Sequence, residues 1–448
     1  MQIMVPGFLA LILVGACILM LPVCNADGQW LNFTDALFTS CTSVCVTGLV
    51  TVVPAVQFTF FGKLVILFLI QVGGWGVIIC AMYVLVLLKV RLSISERVLL
   101  QSYFSKDNMR GLVRMLLYVI RGSLVVEGIG AVGYALTFVP EFGFLRGCWY
   151  SIFHAVSAFC NAGVDLLGEN SLAAYVDHPW MNAVTIFLIV SGGLGFVVWQ
   201  EICSFVRKLV RREQKPARAL RQMQLQAKLV IVMTAGLLIG GMLFFWMAEH
   251  NNPRTLGALP LGKQWMAAFF QSVTTRTAGF FMIPQDQLTE VSQLFACILM
   301  YIGGSPAGTA GGVKTVTVAV VLLTCWSILK GHNDTECFGR RIAPMVVRTS
   351  ILICMTSIFL VFSGMLALSL LEPQFSMLEI AYEVVSATAT VGLTAGVTPG
   401  LHTPGKYLIM VLMYCGRIGP VTLPLLIGAK LGRKNEKRSL PEEHIVVG

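Results

Sequence analysis

The sequence predicts an all-α integral membrane fold: four tandem, parallel helix–pore-loop–helix repeats around one central pore, with eight transmembrane helices. Three observations predict it. The chain is 56% hydrophobic and only 12% charged over 448 residues, too little charge for a soluble protein of that length. Four short segments repeat one pattern at a nearly constant interval. Basic residues gather after each repeat, on what reads as one side of a membrane.

The spans come first. Apolar stretches near or beyond the roughly 20 residues of a bilayer-crossing helix recur at 8–23, 58–88, 183–198, 229–247, 351–371 and 407–426. The first has no basic flank and no small-residue cleavage site, so it reads as a retained span rather than a removed signal. The repeats are placed at 1–90, 112–207, 227–330 (its second span broken) and 345–430, with a cytoplasmic tail at 431–448. Thirteen cysteines are scattered through apolar segments. With no metal-type Cys-x-x-Cys pair, they read as small buried hydrophobes.

The recurring segments are FTSCTSVCVTGL (38–49), FHAVSAFCNAGV (153–164), FFQSVTTRTAGF (269–280) and YEVVSATATVGL (382–393). Each carries an aromatic residue ten positions before a glycine. The glycines Gly48, Gly163, Gly279 and Gly392 follow one another at intervals of 115, 116 and 113 residues. About ten residues of helix cannot cross some 30 Å of hydrocarbon, so the segment must re-enter. Non-helical backbone at membrane depth is tolerated where protein shields it or where it lines water.

Such a loop can replace an ion's hydration shell with main-chain carbonyls. Glycine suits the tightest point because it adopts backbone angles that other residues avoid. A half-helix ending at mid-membrane aims its negative end at a cation. The predicted filter is therefore Val46, Thr47 and Gly48; Asn161, Ala162 and Gly163; Thr277, Ala278 and Gly279; Thr390, Val391 and Gly392. The competing reading, glycines serving only close helix packing, does not account for four of them in one frame at constant spacing. Thr390, Val391 and Gly392 resemble the start of the potassium-channel sequence Thr-Val-Gly-Tyr-Gly, a likeness that implies potassium as substrate, with sodium as a further candidate ion and no cofactor.

Charge orients the chain. Basic residues cluster at 89–114, 207–228, 330–348 and 430–438, which hold 23 of the 32 Lys and Arg. Two crossings per repeat put all four clusters on one side, the cytoplasmic one. The other loops are mostly acidic, with Asp27, Asp35, Glu141, Asp165, Glu169, Asp177, Glu249, Asp286, Glu290, Glu372 and Glu379. An acidic outer mouth concentrates cations. This distribution argues against nucleic acid as a partner and for membrane lipid.

A second small-residue cluster follows each filter glycine: Gly73–Gly76, Gly192–Gly195, Gly303–Pro306 and Gly416–Gly419. The first two read as close packing within a continuous span. The third, Gly303, Gly304, Ser305, Pro306, Ala307, Gly308, Thr309, Ala310, Gly311 and Gly312, cannot remain helical, since each glycine costs about 1 and the proline about 3 kcal/mol relative to alanine. Lying just inside the filter, it would obstruct the pore. The fourth cluster carries Arg417, and a cation at that depth is expensive. Arg417 either bonds the carbonyls of 303–312 and repels ions, with Lys314 sharing the role, or pairs with an acid and holds helices together. Glu127 and Glu201 are expected to pair with basic neighbours. Arg276 is expected to point away from the ion path and anchor its short helix, and His154 to be a satisfied core residue.

The motifs FTSCTSVCVTGLV (38–50), FCNAGVDLL (159–167), TTRTAGFF (274–281), IGGSPAGTAGGVKT (302–315) and SATATVGLTAGVTP (386–399) resemble the bacterial Trk/Ktr/HKT superfamily of potassium transporters, most of all its Ktr membrane subunits (KtrB). The likeness covers nearly the whole chain. Trk-type relatives carry an extra helix pair before the first repeat, whereas the first span here opens that repeat. Ala389 departs from the pattern, where relatives often have glycine. The resemblance implies potassium uptake across the bacterial cytoplasmic membrane, with sodium as a stimulating ion, and it implies that 303–312 is an intramembrane gating loop. It further implies a homodimer with one pore per protomer and a separate, nucleotide-binding cytosolic regulatory ring of the KtrA kind.

Two other function classes compete with this reading. A secondary transporter of a small solute also uses broken helices, but such folds often have inverted repeats, and the basic loops here indicate parallel ones. An enzyme would need a catalytic motif, and neither His-Glu-x-x-His nor Gly-x-Ser-x-Gly occurs.

Overall fold

The computed structural model describes residues 4–88, 112–168, 170–213, 215–332 and 334–419. The basic run 89–111, Glu169 and the tail 431–448 lie outside the described residues. The described chain is predominantly helical, as its long apolar runs require. In order, the helices are α1 (Met4–Leu19), α2 (Phe33–Cys45), α3 (Pro54–Gln57), α4 (Phe60–Trp75), α5 (Val77–Leu87), α6 (Leu112–Phe142), α7 (Phe144–Cys160), α8 (Pro179–Gly193) and α9 (Phe196–Val210). They continue as α10 (Pro216–Gln222), α11 (Leu225–Glu249), α12 (Leu261–Thr274), α13 (Glu290–Tyr301), α14 (Thr315–Leu329), α15 (Pro344–Leu371), α16 (Met377–Ala389) and α17 (Thr403–Ile418). A two-residue hairpin, β1 (Glu336–Cys337) with β2 (Arg340–Arg341), is the described sheet.

Among the described residues three helices, α6, α11 and α15, are singly long and apolar enough to cross a membrane. A fourth span results if α8 and α9 are joined across their 108° bend. Phe359, Phe362, Leu366 and Leu370 of α15 and Val232 and Ile239 of α11 lie exposed, an apolar outer face that suits lipid better than water.

Local chemistry sets the helix starts. Asn32 accepts the Thr34 amide at α2. Thr289 accepts the Ser292 amide at α13. Ser376 and Glu379 form a reciprocal capping box at α16, as the Ser-x-x-Glu spacing specifies.

The four quarters of the chain close into a cycle through polar ties between neighbours. Gln71 of α4 donates to Glu127 of α6 at 2.9 Å, and Trp75 to Ser123 at 2.8 Å. The Leu172 amide donates to the Phe281 carbonyl at 3.1 Å. Tyr382 of α16 donates to Gln285 at 2.8 Å, and Gln285 exchanges hydrogen bonds with Gln271 of α12. Lys406 of α17 pairs with Asp35 of α2 at 2.8 Å, which brings the last quarter against the first.

Candidate functional site

Each of α2, α7, α12 and α16 stops short and hands the chain to a glycine-bearing stretch. The same backbone pattern follows in all four. The residue two before the glycine has positive φ: Val46 at 56°, Asn161 at 61°, Thr277 at 67° and Thr390 at 51°. The glycine is positive again: Gly48 at 106°, Gly163 at 65°, Gly279 at 81° and Gly392 at 93°. Thr47, Ala162, Ala278 and Val391 between them are not. Alternating hand turns successive peptide dipoles toward one side. For β-branched Val46, Thr277 and Thr390 this conformation costs of order 1–3 kcal/mol each, and such strain concentrates at functional sites.

The four glycines meet. A Cβ added to Gly48 would stand 3.2 Å from the Gly163 Cα and 3.3 Å from the Gly392 Cα. One added to Gly163 would stand 2.6 Å from the Gly279 Cα, and one added to Gly279 would stand 2.8 Å from the Val391 carbonyl oxygen. The ring thus closes in chain order and has room for no side chain.

Hydroxyls behind the ring hold it. The Gly48 amide donates to Thr42 Oγ1 at 2.9 Å, and the Gly392 amide to Ser386 Oγ at 3.1 Å. Ser157 donates to the Val164 carbonyl and Thr274 to the Phe280 carbonyl. Thr42, Ser157 and Ser386 all stand six positions before their glycine, a register the sequence displays and the sequence reading did not use. Among the described residues, the buried hydroxyls of Thr47, Thr277 and Thr390 have no hydrogen-bond partner.

Beneath the ring lie the small-residue clusters. A Cβ on Gly73, Gly192 or Gly416 would run into the carbonyl of Val44, Phe159 or Thr388, each four positions before a ring glycine. Close packing is therefore correct for these clusters, but a continuous span is not. α4 ends at Gly76 (φ 87°, ψ 138°), α8 gives way to α9 at Gly195 (φ 87°, ψ 139°), and α17 ends at Gly419 (φ 98°, ψ 131°). The break expected only in the third quarter thus has counterparts in the others, all at a glycine in one conformation that favours that residue.

The third break is the longest. Residues 302–314 form no regular helix between α13 and α14. The Gly303 and Val313 amides bond the Val313 and Tyr301 carbonyls at 3.0 and 3.1 Å, pinching the base of the loop. Ser305 and Thr309 donate from their amides to Gly193 and Gly192, and the Phe196 amide donates to Ala307. Thr309 Oγ1 reaches the Phe159 carbonyl at 3.1 Å. A Cβ on Gly311 would meet the Ala389 carbonyl at 2.6 Å and the Thr390 hydroxyl, so this loop lies directly under the fourth glycine stretch. Gly304, Pro306, Gly308, Ala310 and Gly312 complete it. The Ala389 carbonyl is thereby a packing surface for the loop.

Three cations bond its carbonyls. Arg417 Nη1 donates to Thr309 O at 2.6 Å, while Nη2 donates to Gly73 O. Lys314 Nζ donates to Ala310 O at 2.6 Å. Arg276 Nη2 donates to Gly303 O at 2.9 Å; it anchors this loop, where the sequence suggested only its own helix. Arg417 thus bonds main-chain carbonyls of two quarters, one of them in this loop.

Other expectations fare unevenly. His154 is a buried core residue, with Nδ1 2.7 Å from the Tyr150 carbonyl. Glu127 takes its bond from the amide of Gln71 rather than from a basic neighbour. Several outer acids serve as internal ties. Asp35 accepts from Lys406 and Thr51. Glu249 accepts from Thr255, Asn252 and Thr289. Asp165 accepts the Leu167 amide at 3.0 Å. Glu383, unremarked in the sequence, is fully buried in α16.

A model of the TrkH family, described as a cation transport protein, matches residues 2–436. The potassium/sodium uptake protein NtpJ of Enterococcus hirae is 38% identical, over 100% of this chain and 97% of that protein. The Ktr system potassium uptake protein B of Bacillus subtilis is 37% identical, over 94% of this chain and 91% of that one. The crystal structure of the potassium transporter TrkH from Vibrio parahaemolyticus superimposes with a TM-score of 0.73 at 19% identity, over 95% of this chain and 86% of its own. That last likeness concerns the fold.

Proposed function

The chain belongs to the TrkH family of cation transport proteins, and from that premise we propose that it carries potassium into the cell through a channel-like pore at the four-glycine ring. Its class is transporter, not enzyme. In this reading α1 to α17 form four parallel repeats, within 1–90, 112–207, 227–330 and 345–430, with eight crossings of the cytoplasmic membrane and the basic loops inside. The carbonyls of the four stretches replace the water of a potassium ion. The loop 303–312, with Lys314 and Arg417, is the gate beneath them.

The observation that carries the reading is the mutual approach of Gly48, Gly163, Gly279 and Gly392 in one shared backbone pattern. The unpartnered hydroxyls of Thr47, Thr277 and Thr390 add oxygen donors that suit a hard monovalent cation. A solute transporter of the inverted-repeat type is disfavoured, since the four glycines approach one another in chain order and a basic cluster follows each of the four repeats. Sodium acts as a stimulating ion. We further propose a homodimer working beside a cytosolic, nucleotide-binding ring of the KtrA kind; relatives named as parts of a Ktr system support more than one component.

Rubidium uptake by proteoliposomes, with potassium, sodium and ammonium as competitors, tests the substrate. Gly279→Ser and Gly392→Ser force a side chain into the ring, an overpacking of about 1–3 kcal/mol. They should cut uptake or the preference for potassium over sodium about tenfold. Wild-type transport by an inserted variant would sink the ring as the ion site.

A further inference from the structure

One fully buried carboxylate stands behind the glycine ring, and it breaks the equivalence of the four stretches. Glu383 lies nine positions before Gly392. The corresponding residues in the other quarters are Thr39, His154 and Phe270. Those three stretches reach the same alternating backbone without an acid, so the conformation itself does not require one. An ion without counter-charge is costly to bury, and its retention asks for a reason.

The hydrogen bonds of Glu383 run to the segment just beyond the ring. Thr394 Oγ1 donates to Oε2 at 2.8 Å, and Thr398 Oγ1 donates to Oε1. The Ala395 and Thr398 amides add two more donors. Each carboxyl oxygen thus has a hydroxyl donor. Among the described residues none of these partners is basic, so its charge is not cancelled by a neighbouring cation. Thr394 Oγ1 also accepts the Gly396 amide at 3.1 Å, which closes 394–398 into a hook around the carboxylate. Leu393 alone separates that hook from Gly392.

We propose that Glu383 is a specificity-determining positioning residue: its carboxylate pins the 394–398 hook and so fixes the Val391 and Gly392 carbonyls where they favour potassium over sodium. The inference rests on the filter reading above. Selectivity among alkali cations depends on where the carbonyl dipoles stand and on the field they meet. A carboxyl group that pins the hook acts on the first. The other three quarters have only neutral side chains at that position, so the fourth carries a discriminating element of its own.

The test uses the full chain in proteoliposomes, with rubidium uptake inhibited by potassium or sodium. Glu383→Gln keeps the size and loses the charge. It should lower the potassium-over-sodium ratio about tenfold, the scale of one charge-assisted hydrogen bond, while uptake remains measurable. Thr394→Val and Thr398→Val should shift the ratio the same way by less, and they stand in if Glu383→Gln fails to insert. Gly392→Ser is the arm for the underlying reading. A changed ratio in Gly392→Ser with wild-type ratios in Glu383→Gln and Thr394→Val overturns the role of Glu383 and leaves the filter standing. Unchanged ratios in all of them overturn the filter itself. Reduced uptake and thermal stability at a constant ratio make Glu383 a packing residue only, which also overturns the proposal.

Discussion

Arg417 shows what one side chain can join. Its planar guanidinium reaches Thr309 O in the third quarter and Gly73 O in the first while itself belonging to the fourth. A lysine has a single ammonium on a flexible stem and cannot span two carbonyls with the same fork. Arg417→Lys should therefore loosen the loop and raise rubidium flux several-fold, read in proteoliposomes. Flux at or below the wild-type level, with normal insertion, would contradict the gate. The sequence marked Arg417 because charge at membrane depth is rare. It did not mark Thr42, Ser157 or Ser386, because serine and threonine are common on helices and only the fold shows that these hydroxyls bond the backbone of the glycine stretches.

At the level of elements, the short helices and their glycine stretches were legible because four copies in one frame reinforce a weak signal. The breaks at Gly76, Gly195 and Gly419 were not. One glycine costs a helix about 1 kcal/mol, little enough to be absorbed in an apolar run, whereas five glycines and a proline within 303–312 cannot be. The expectation of a unique break followed from that difference in cost. The loop 302–314 is pinned by bonds to Gly192, Gly193, Phe196, Arg276 and Arg417, so shortening it should weaken the barrier without unmaking the helices around it. Deletion of 307–311 should raise potassium flux, measured by the same uptake assay. Lower flux from a stable, inserted variant would remove the obstruction as its explanation.

Over the whole molecule, composition and charge foresaw a helical membrane protein, and membership of a cation transport family agrees. The outer acids were harder to read. A sequence shows an acid in a loop but not the donor waiting for it, and much of the expected mouth proves to be tied inward. Glu372 is one such case, just beyond the end of α15. Its side chain is buried, accepts the His402 amide at 2.8 Å and the Gln374 amide group at 2.7 Å, and lies 2.7 Å from His402 Nδ1. Burial alone would raise its pKa, but these hydrogen bonds prevail and hold it below the ordinary carboxylate value. A depressed folded-state pKa means that the tie stabilises at neutral pH and is lost as pH falls through that value, below about pH 4. Glu372→Gln should lower thermal stability at pH 7 by about 1 kcal/mol, and the deficit should shrink on acidification. A deficit of constant size down to pH 3, followed by thermal unfolding in detergent, would show that the carboxylate's charge is irrelevant.

The closed cycle of four glycines comes from a single polypeptide, and that has a consequence for how it can change. In an assembly of four identical subunits any substitution strikes every side at once. Here each quadrant has its own codons. Asn161 sits where Val46, Thr277 and Thr390 sit, and Glu383 has no acidic counterpart, so the quadrants have already drifted apart within a common backbone. Such a ring can be retuned in quarter steps, each small enough for the remaining three sides to keep the centre intact.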